Sequence, residues 1–89
     1  MKITAQHILV NHEHIAQDLL KKLSDGQSFE ELARDFSECP SGKDGGNLGE
    51  FGKGMMVPSF EKAAWQLLPG EISGIVRTQF GFHLIKRTR

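Results

Sequence analysis

The sequence predicts an α+β fold, with helices packed around a small, mainly antiparallel sheet. Three observations lead there. Segments with the period of a strand stand at both ends of the chain, segments with the period of a helix lie between them, and a run dense in glycine returns the chain from helix to sheet. The 89 residues read as one domain, 1–89, because division would leave neither half enough surface to bury.

Residues 4–10 are a short apolar run ending in β-formers and predict the first strand. Its alternation sets His7 and Leu9 on one face and Ile8 and Val10 on the other. From Glu13 the period changes: Ile15, Leu19, Leu20 and Leu23 form one helical stripe, which Gly26 ends as a C′ residue. Ser28 opens a second helix with Glu31 at capping-box spacing, and Phe29, Leu32, Ala33 and Phe36 make its inner stripe. That helix stops near Ser37, ahead of Pro40. Residues 41–54 hold six of the ten glycines and predict an ordered loop around a short strand at 48–51. Pro58 starts a third helix, facing inward with Phe60, Ala63, Ala64 and Leu67, and Leu68-Pro69-Gly70 ends it. A weak strand at 75–78 and a strong one at 82–86 close the chain. In the last strand His83 and Ile85 share a face, opposite Phe82, Leu84 and Lys86.

Charge narrows the partners. Lysine plus arginine equals aspartate plus glutamate at 11 each, so no long-range field draws DNA, RNA or anionic lipid. Lys86, Arg87 and Arg89 make the end of the chain basic, as solvated protection of a final strand. No segment approaches the roughly 20 apolar residues of a membrane span. The first ten residues are followed by His12, Glu13 and His14, not by a signal-peptide core and cleavage site, which reads as cytoplasmic. A domain cut from a longer secreted or membrane-tethered protein has the same features. A neutral domain of this size is expected to be a monomer.

Several polar residues stand in apolar places. His7 and His83 each lie inside a strand, flanked by hydrophobic residues. They read either as surface groups on half-exposed strands or as a buried, hydrogen-bonded pair. Cys39, beyond a helix end and before Pro40, reads as a small buried hydrophobe, or as a nucleophile if a base lies beside it. Zinc held by Cys39, His7 and His83 lacks the close-spaced ligand pairs of structural sites. Met55, Met56 and Phe60 cluster around Pro58, as core or as an adaptable apolar pocket. Gly42-Lys43-Asp44-Gly45-Gly46 lacks the order of a phosphate-binding loop.

The same residues carry a dense resemblance to the parvulin family of peptidyl-prolyl cis/trans isomerases, in its minimal single-domain prokaryotic form. The matching stretches begin with His7-Ile8-Leu9-Val10 and Phe29-x-x-Leu32-Ala33-x-x-x-Ser37. Cys39-Pro40-Ser41-Gly42-x-x-Gly45-Gly46-x-Leu48-Gly49-x-Phe51 and Gly54-x-Met56-Val57-Pro58-x-Phe60 follow. Gly70-Glu71-Ile72-Ser73 and the run from Thr78 to Lys86, Thr-Gln-Phe-Gly-Phe-His-Leu-Ile-Lys, complete a set that covers nearly the whole chain in order.

The resemblance implies an FKBP-like superfold, a four-stranded sheet with about four helices in the order β-α-α-α-β-α-β-β. The extra helical piece falls in the glycine-rich stretch, where periodicity shows none. By position, His7 and His83 become paired histidines on neighbouring strands, Thr78 the hydroxyl that orients them, and Cys39 the group facing the reacting amide. Leu48, Met56 and Phe60 become the pocket for a proline ring, with Phe80 or Phe82 as extra walls and Gln79 carried over beside them. The implied substrates are proline-containing polypeptides, and no cofactor or metal is implied. Asp at the cysteine position in some relatives argues against a covalent adduct. Phosphate-specific members carry a basic cluster after the first strand, and Asn11-His12-Glu13-His14 has no Arg or Lys. A non-catalytic chaperone or peptide-binding role for the same cleft is the alternative.

Overall fold

The four strands form one antiparallel sheet in the order β2-β1-β4-β3, so the two ends of the chain lie side by side at its centre. The computed structural model describes residues 1–89. Its elements run β1 (Lys2–Val10), α1 (Glu13–Ser24), α2 (Phe29–Phe36), a 3₁₀ helix (Pro40–Asp44), β2 (Asn47–Gly52), α3 (Pro58–Gln66), β3 (Val76–Thr78) and β4 (Gly81–Arg87).

The helices end where the sequence predicts. Gly26 takes a φ of 98°, and the Gln27 N–H reaches back to the Lys22 carbonyl at 3.1 Å, closing α1 in a Schellman turn. Ser28 Oγ accepts the Glu31 N–H at 3.3 Å and so caps α2. The return half of the capping box, Glu31 accepting the Ser28 backbone N–H, is absent, and the Ser28 hydroxyl donates to Glu30 at 2.9 Å. Phe36 departs from the predicted buried stripe: in the last turn of α2 it is 40 % exposed and lies under the Lys22 ammonium. Strand β1 begins two residues earlier than its apolar run suggests, since Ile3 pairs with Phe51 and is buried.

Alternation along β1 and β4 divides the core into two layers. Ile8, Val10 and Leu84 face α1 and α2, packing on Leu19, Phe29 and Leu32. Ile3, Ala5 and Ile85 face the other way, onto Phe51, Phe60 and Ala64 under α3. His7 and His83 share this second face, the only buried polar side chains in the molecule.

Past Gln6, the edge of β1 has lost β2 and is covered by the glycine-rich return. The Gly46 carbonyl accepts the His7 N–H at 2.9 Å. Gly46 has a φ of 84°, and a Cβ there would collide with the His7 carbonyl, so only glycine permits this approach. One step further, Ser37 Oγ accepts the Leu9 N–H at 3.1 Å and the Leu9 carbonyl accepts the Glu38 N–H at 2.7 Å. The 3₁₀ helix between these two attachments starts on Pro40 and ends on the left-handed Gly45. It is the helical piece that the family resemblance implies. Its short length gives no apolar stripe, which is why periodicity is blind to it.

Candidate active site

Cys39, Ser41 and His7 meet because the return docks on β1. The antiparallel register then pairs Leu9 with His83, placing His83 diagonally beside His7 on one face. Their Nδ1 atoms are 3.1 Å apart, with ring planes 19° from parallel. Phe60, from the first turn of α3, stands edge-on to both rings at centroid distances of 5.6 and 5.3 Å.

The pair is the middle of a longer chain of polar atoms. Thr78 Oγ1 lies 2.7 Å from His83 Nε2, and it accepts the Phe80 N–H at 3.2 Å. At the other end His7 Nε2 lies 3.1 Å from Ser41 Oγ, whose hydroxyl donates to Cys39 Sγ at 3.3 Å. One set of directions satisfies every member. Ser41 gives its proton to Cys39 and so accepts from His7 Nε2–H, which leaves His7 Nδ1 bare to accept from His83 Nδ1–H. His83 Nε2 then accepts from Thr78. Both imidazoles are neutral in this arrangement. Burial, with the neighbouring His83 adding to it, lowers the His7 pKa to about 4, and burial also lowers that of His83.

This chain forms one wall of a cleft of about 400 Å³. The opposing walls are apolar: Leu48 from β2, Met55, Met56 and Val57 from the loop before α3, Phe60 from α3, Leu9 from β1 and Phe80 from the β3–β4 turn. Cys39 is half-buried at the junction of the polar and apolar walls. A free thiol, two neutral imidazoles and two hydroxyls provide weak donors and acceptors around an apolar slot. No group of three or more His, Cys, Asp or Glu converges as metal ligands.

Of the residues singled out in the sequence, His7, Cys39, Leu48, Met56, Phe60, Phe80 and His83 line one cleft, and Thr78 stands behind His83. Two do not join them. Phe82 is on the opposite face of β4, where it packs on the core under α1 and α2 with the Arg77 guanidinium 5.8 Å from its ring centroid. Strand alternation already puts it opposite His83, so it is not a wall. Gln79 is exposed in the β3–β4 turn and lines no part of the cleft. Ser41, Leu9 and Val57 were missed. Ser41 is one small residue in a glycine-rich run, and its sequence signal is its place in the matching Cys39-Pro40-Ser41-Gly42 stretch. Leu9 is signalled by sharing the His7 face, and Val57 by its place between Met56 and Pro58.

A sheet whose central strands hold two hydrogen-bonded neutral histidines beside an apolar slot and a thiol defines a peptide-binding domain of the prolyl-isomerase class. The family model described as "Rotamase: PPIC-type PPIASE domain" matches residues 7–89, and the chain belongs to that family. The foldase protein PrsA of Geobacillus kaustophilus is 48 % identical over 98 % of this chain and 31 % of its own length. PrsA of Bacillus subtilis is also 48 % identical, over 98 % of this chain and 30 % of its length. The chain thus spans about a third of these curated relatives. Among solved structures, the peptidylprolyl isomerase PrsA of Bacillus anthracis superposes with a TM-score of 0.96 at 48 % identity, covering 98 % of this chain and 41 % of that one. NmPin, the parvulin of Nitrosopumilus maritimus, superposes at 0.88 with 45 % identity, over 99 % and 96 % of the two chains.

Proposed function

We propose that this domain accelerates cis/trans isomerisation of X–Pro bonds in flexible polypeptide segments, by non-covalent binding of the twisted amide and without requiring a phosphate. The observation that carries this is the single cleft in which an apolar slot meets the Thr78–His83–His7–Ser41–Cys39 chain. Rotation about the amide breaks C–N resonance against a barrier of about 20 kcal/mol, and no bond need form or break elsewhere. Acceleration therefore requires that the rotated amide be held better than either planar form.

The site's own residues provide this. Met56, Leu48 and Phe60 hold the proline ring while the preceding carbonyl swings. The planar amide is the more charge-separated form, so an apolar slot disfavours it relative to the twisted one. With Ser41 donating to Cys39 Sγ, the thiol proton is free to point into the cleft, toward a ring nitrogen that has become pyramidal. The histidines act through position, holding Ser41 and Cys39 against the slot. Met55 and Phe80 are 64 and 61 % exposed at its mouth, which extends the apolar surface along an unfolded segment and favours a chaperone-like holding function of the same cleft.

The test is an NMR exchange or protease-coupled assay on Ala-Pro, Leu-Pro and phosphoserine-Pro peptides. Acceleration of the first two is expected. No acceleration of any peptide would refute the isomerase reading, and dependence on phosphate would refute its substrate class. We read the domain as monomeric, without affinity for nucleic acid, and cytoplasmic; a half-buried free thiol in the cleft is best preserved in a reducing compartment. A concentration-dependent mass in solution, salt-sensitive binding to duplex DNA or RNA, or recovery from an extracytoplasmic fraction would each overturn the corresponding part.

A further inference from the structure

The corner where β1 leaves the cleft carries a fixed negative charge. Glu38 follows Ser37, which pins the end of α2 to β1, and its N–H donates to the Leu9 carbonyl at 2.7 Å. Its side chain turns back, and Oε2 accepts the Asn11 N–H at 3.1 Å. A backbone bond on one side and a side-chain bond on the other hold this carboxylate over the exit of β1. Its covalent neighbour Cys39 and its hydrogen-bonded neighbour Leu9 both wall the cleft.

No ion pair neutralises it, since the one salt bridge in the molecule joins Lys86 to Glu30. Acidic residues are concentrated in the part of the sequence that carries it. Residues 11–50 hold nine of the 11 carboxylates but only four of the 11 cations, Lys21, Lys22, Arg34 and Lys43. The neutral total therefore hides an uneven distribution. The imidazoles of the cleft add no positive charge near neutrality, because burial keeps them unprotonated.

A substrate's geometry brings one of its side chains to this corner. Consecutive Cα atoms are only about 3–4 Å apart, whether the peptide is cis or trans. If the proline ring lies on Met56 and Phe60 with its amide toward Cys39, the preceding side chain falls against the Leu9 wall, next to the corner where Glu38 caps Asn11.

Resting on the isomerase reading above, we propose that Glu38 sets specificity for the residue before proline, disfavouring acidic and phosphorylated side chains and favouring basic ones. It acts on that side chain through charge, at a distance, and takes no part in rotating the amide.

The experiment compares kcat/KM for Lys-Pro, Ala-Pro and Glu-Pro peptides in wild type, Glu38→Gln and Glu38→Lys at low ionic strength. In wild type, Lys-Pro is expected to exceed Glu-Pro by about tenfold, as one partly screened charge a few ångströms away would produce. Glu38→Gln keeps an acceptor for the Asn11 N–H, so the corner is retained while the charge is removed. It should raise the Glu-Pro to Ala-Pro ratio by about three- to fivefold, and Glu38→Lys should reverse the Lys-Pro over Glu-Pro order. In wild type, the preference should collapse at about 1 M salt, a measurement independent of how the variants fold. Ratios equal in wild type and Glu38→Gln, or a wild-type order unchanged by salt, would overturn the proposal. No turnover of Ala-Pro by wild type would instead overturn the isomerase reading.

Discussion

His7 Nδ1 and His83 Nδ1 meet at 3.1 Å across adjacent antiparallel strands, although 76 residues separate them in the chain. Two facing Nδ1 atoms share one proton, so the contact holds only while one of them is bare. Protonating the acceptor would set two N–H groups against each other inside the core.

Stability should therefore fall with acidity. The folded His7 binds its proton near pH 4, below its ordinary value of 6.5, so between those values the unfolded chain takes up a proton that the folded one refuses. Above pH 6.5 this group has no effect; as pH falls from 6.5 toward 4 it removes up to about 3 kcal/mol. Urea unfolding at pH 7, 5.5 and 4.5 should show midpoints declining in that order, with most of the His7 component absent in His7→Gln. A midpoint independent of pH over this window would contradict a neutral buried pair.

The hydroxyl of Thr78 holds His83 Nε2 at 2.7 Å. Thr78→Ala leaves a partly buried acceptor unpaired and should cost about 1–2 kcal/mol of stability. It should also lower kcat/KM for Ala-Pro by about tenfold through a loosened histidine pair. Thr78→Ser should restore most of both. The imidazole ¹⁵N shifts of His83 give the direct readout, since the bare Nε2 of the wild type should change in the alanine variant and not in the serine one.

Cys39 accepts from Ser41 but has no base in contact through its own sulfur, so a nucleophilic role is not expected. Cys39→Asp should keep more than about a tenth of wild-type kcat/KM, whereas a nucleophile so replaced would lose about a thousandfold or more. Mass spectrometry during turnover should show no substrate adduct. An adduct, or complete loss of activity in Cys39→Asp with the fold retained, would reverse this assignment.

Two glycines with similar backbone angles should respond differently to alanine. Gly46 (φ 84°) would drive its Cβ into the His7 carbonyl, whereas Gly49 (φ 73°) faces open space. Gly49→Ala should cost only the left-handed penalty, about 1–2 kcal/mol. Gly46→Ala should cost more than about 3 kcal/mol, because the return must also leave β1. Thermal or urea unfolding distinguishes them, and equal losses would show that the docking at His7 is not what glycine serves here.

The elements themselves were largely legible. Apolar spacing located three helices, Ser28 and Gly26 marked ends that the structure keeps, and period-two alternation sorted His7 from Ile8 and His83 from Leu84 into the correct layers. Alternation also placed Phe82 correctly, away from the cleft, where family analogy had suggested a wall. The site was legible as a set of residues through the family pattern, though not as a hydrogen-bonded chain: Ser41 carries no periodicity, and its contacts with His7 and Cys39 exist only in the fold.

What the sequence by itself determined about this protein is local: which faces are apolar, where helices begin and end, and which residue types are available for prolyl isomerase chemistry. These follow from side-chain spacing and backbone preference within a few residues of each other. Only the tertiary structure decided the register that sets His83 diagonally beside His7, the docking of Gly46 that brings Ser41 to the pair, and the carboxylate of Glu38 held over the exit of β1. Each depends on hydrogen bonds between segments distant in the chain, whose partners exist only once the sheet and its glycine-rich edge have formed.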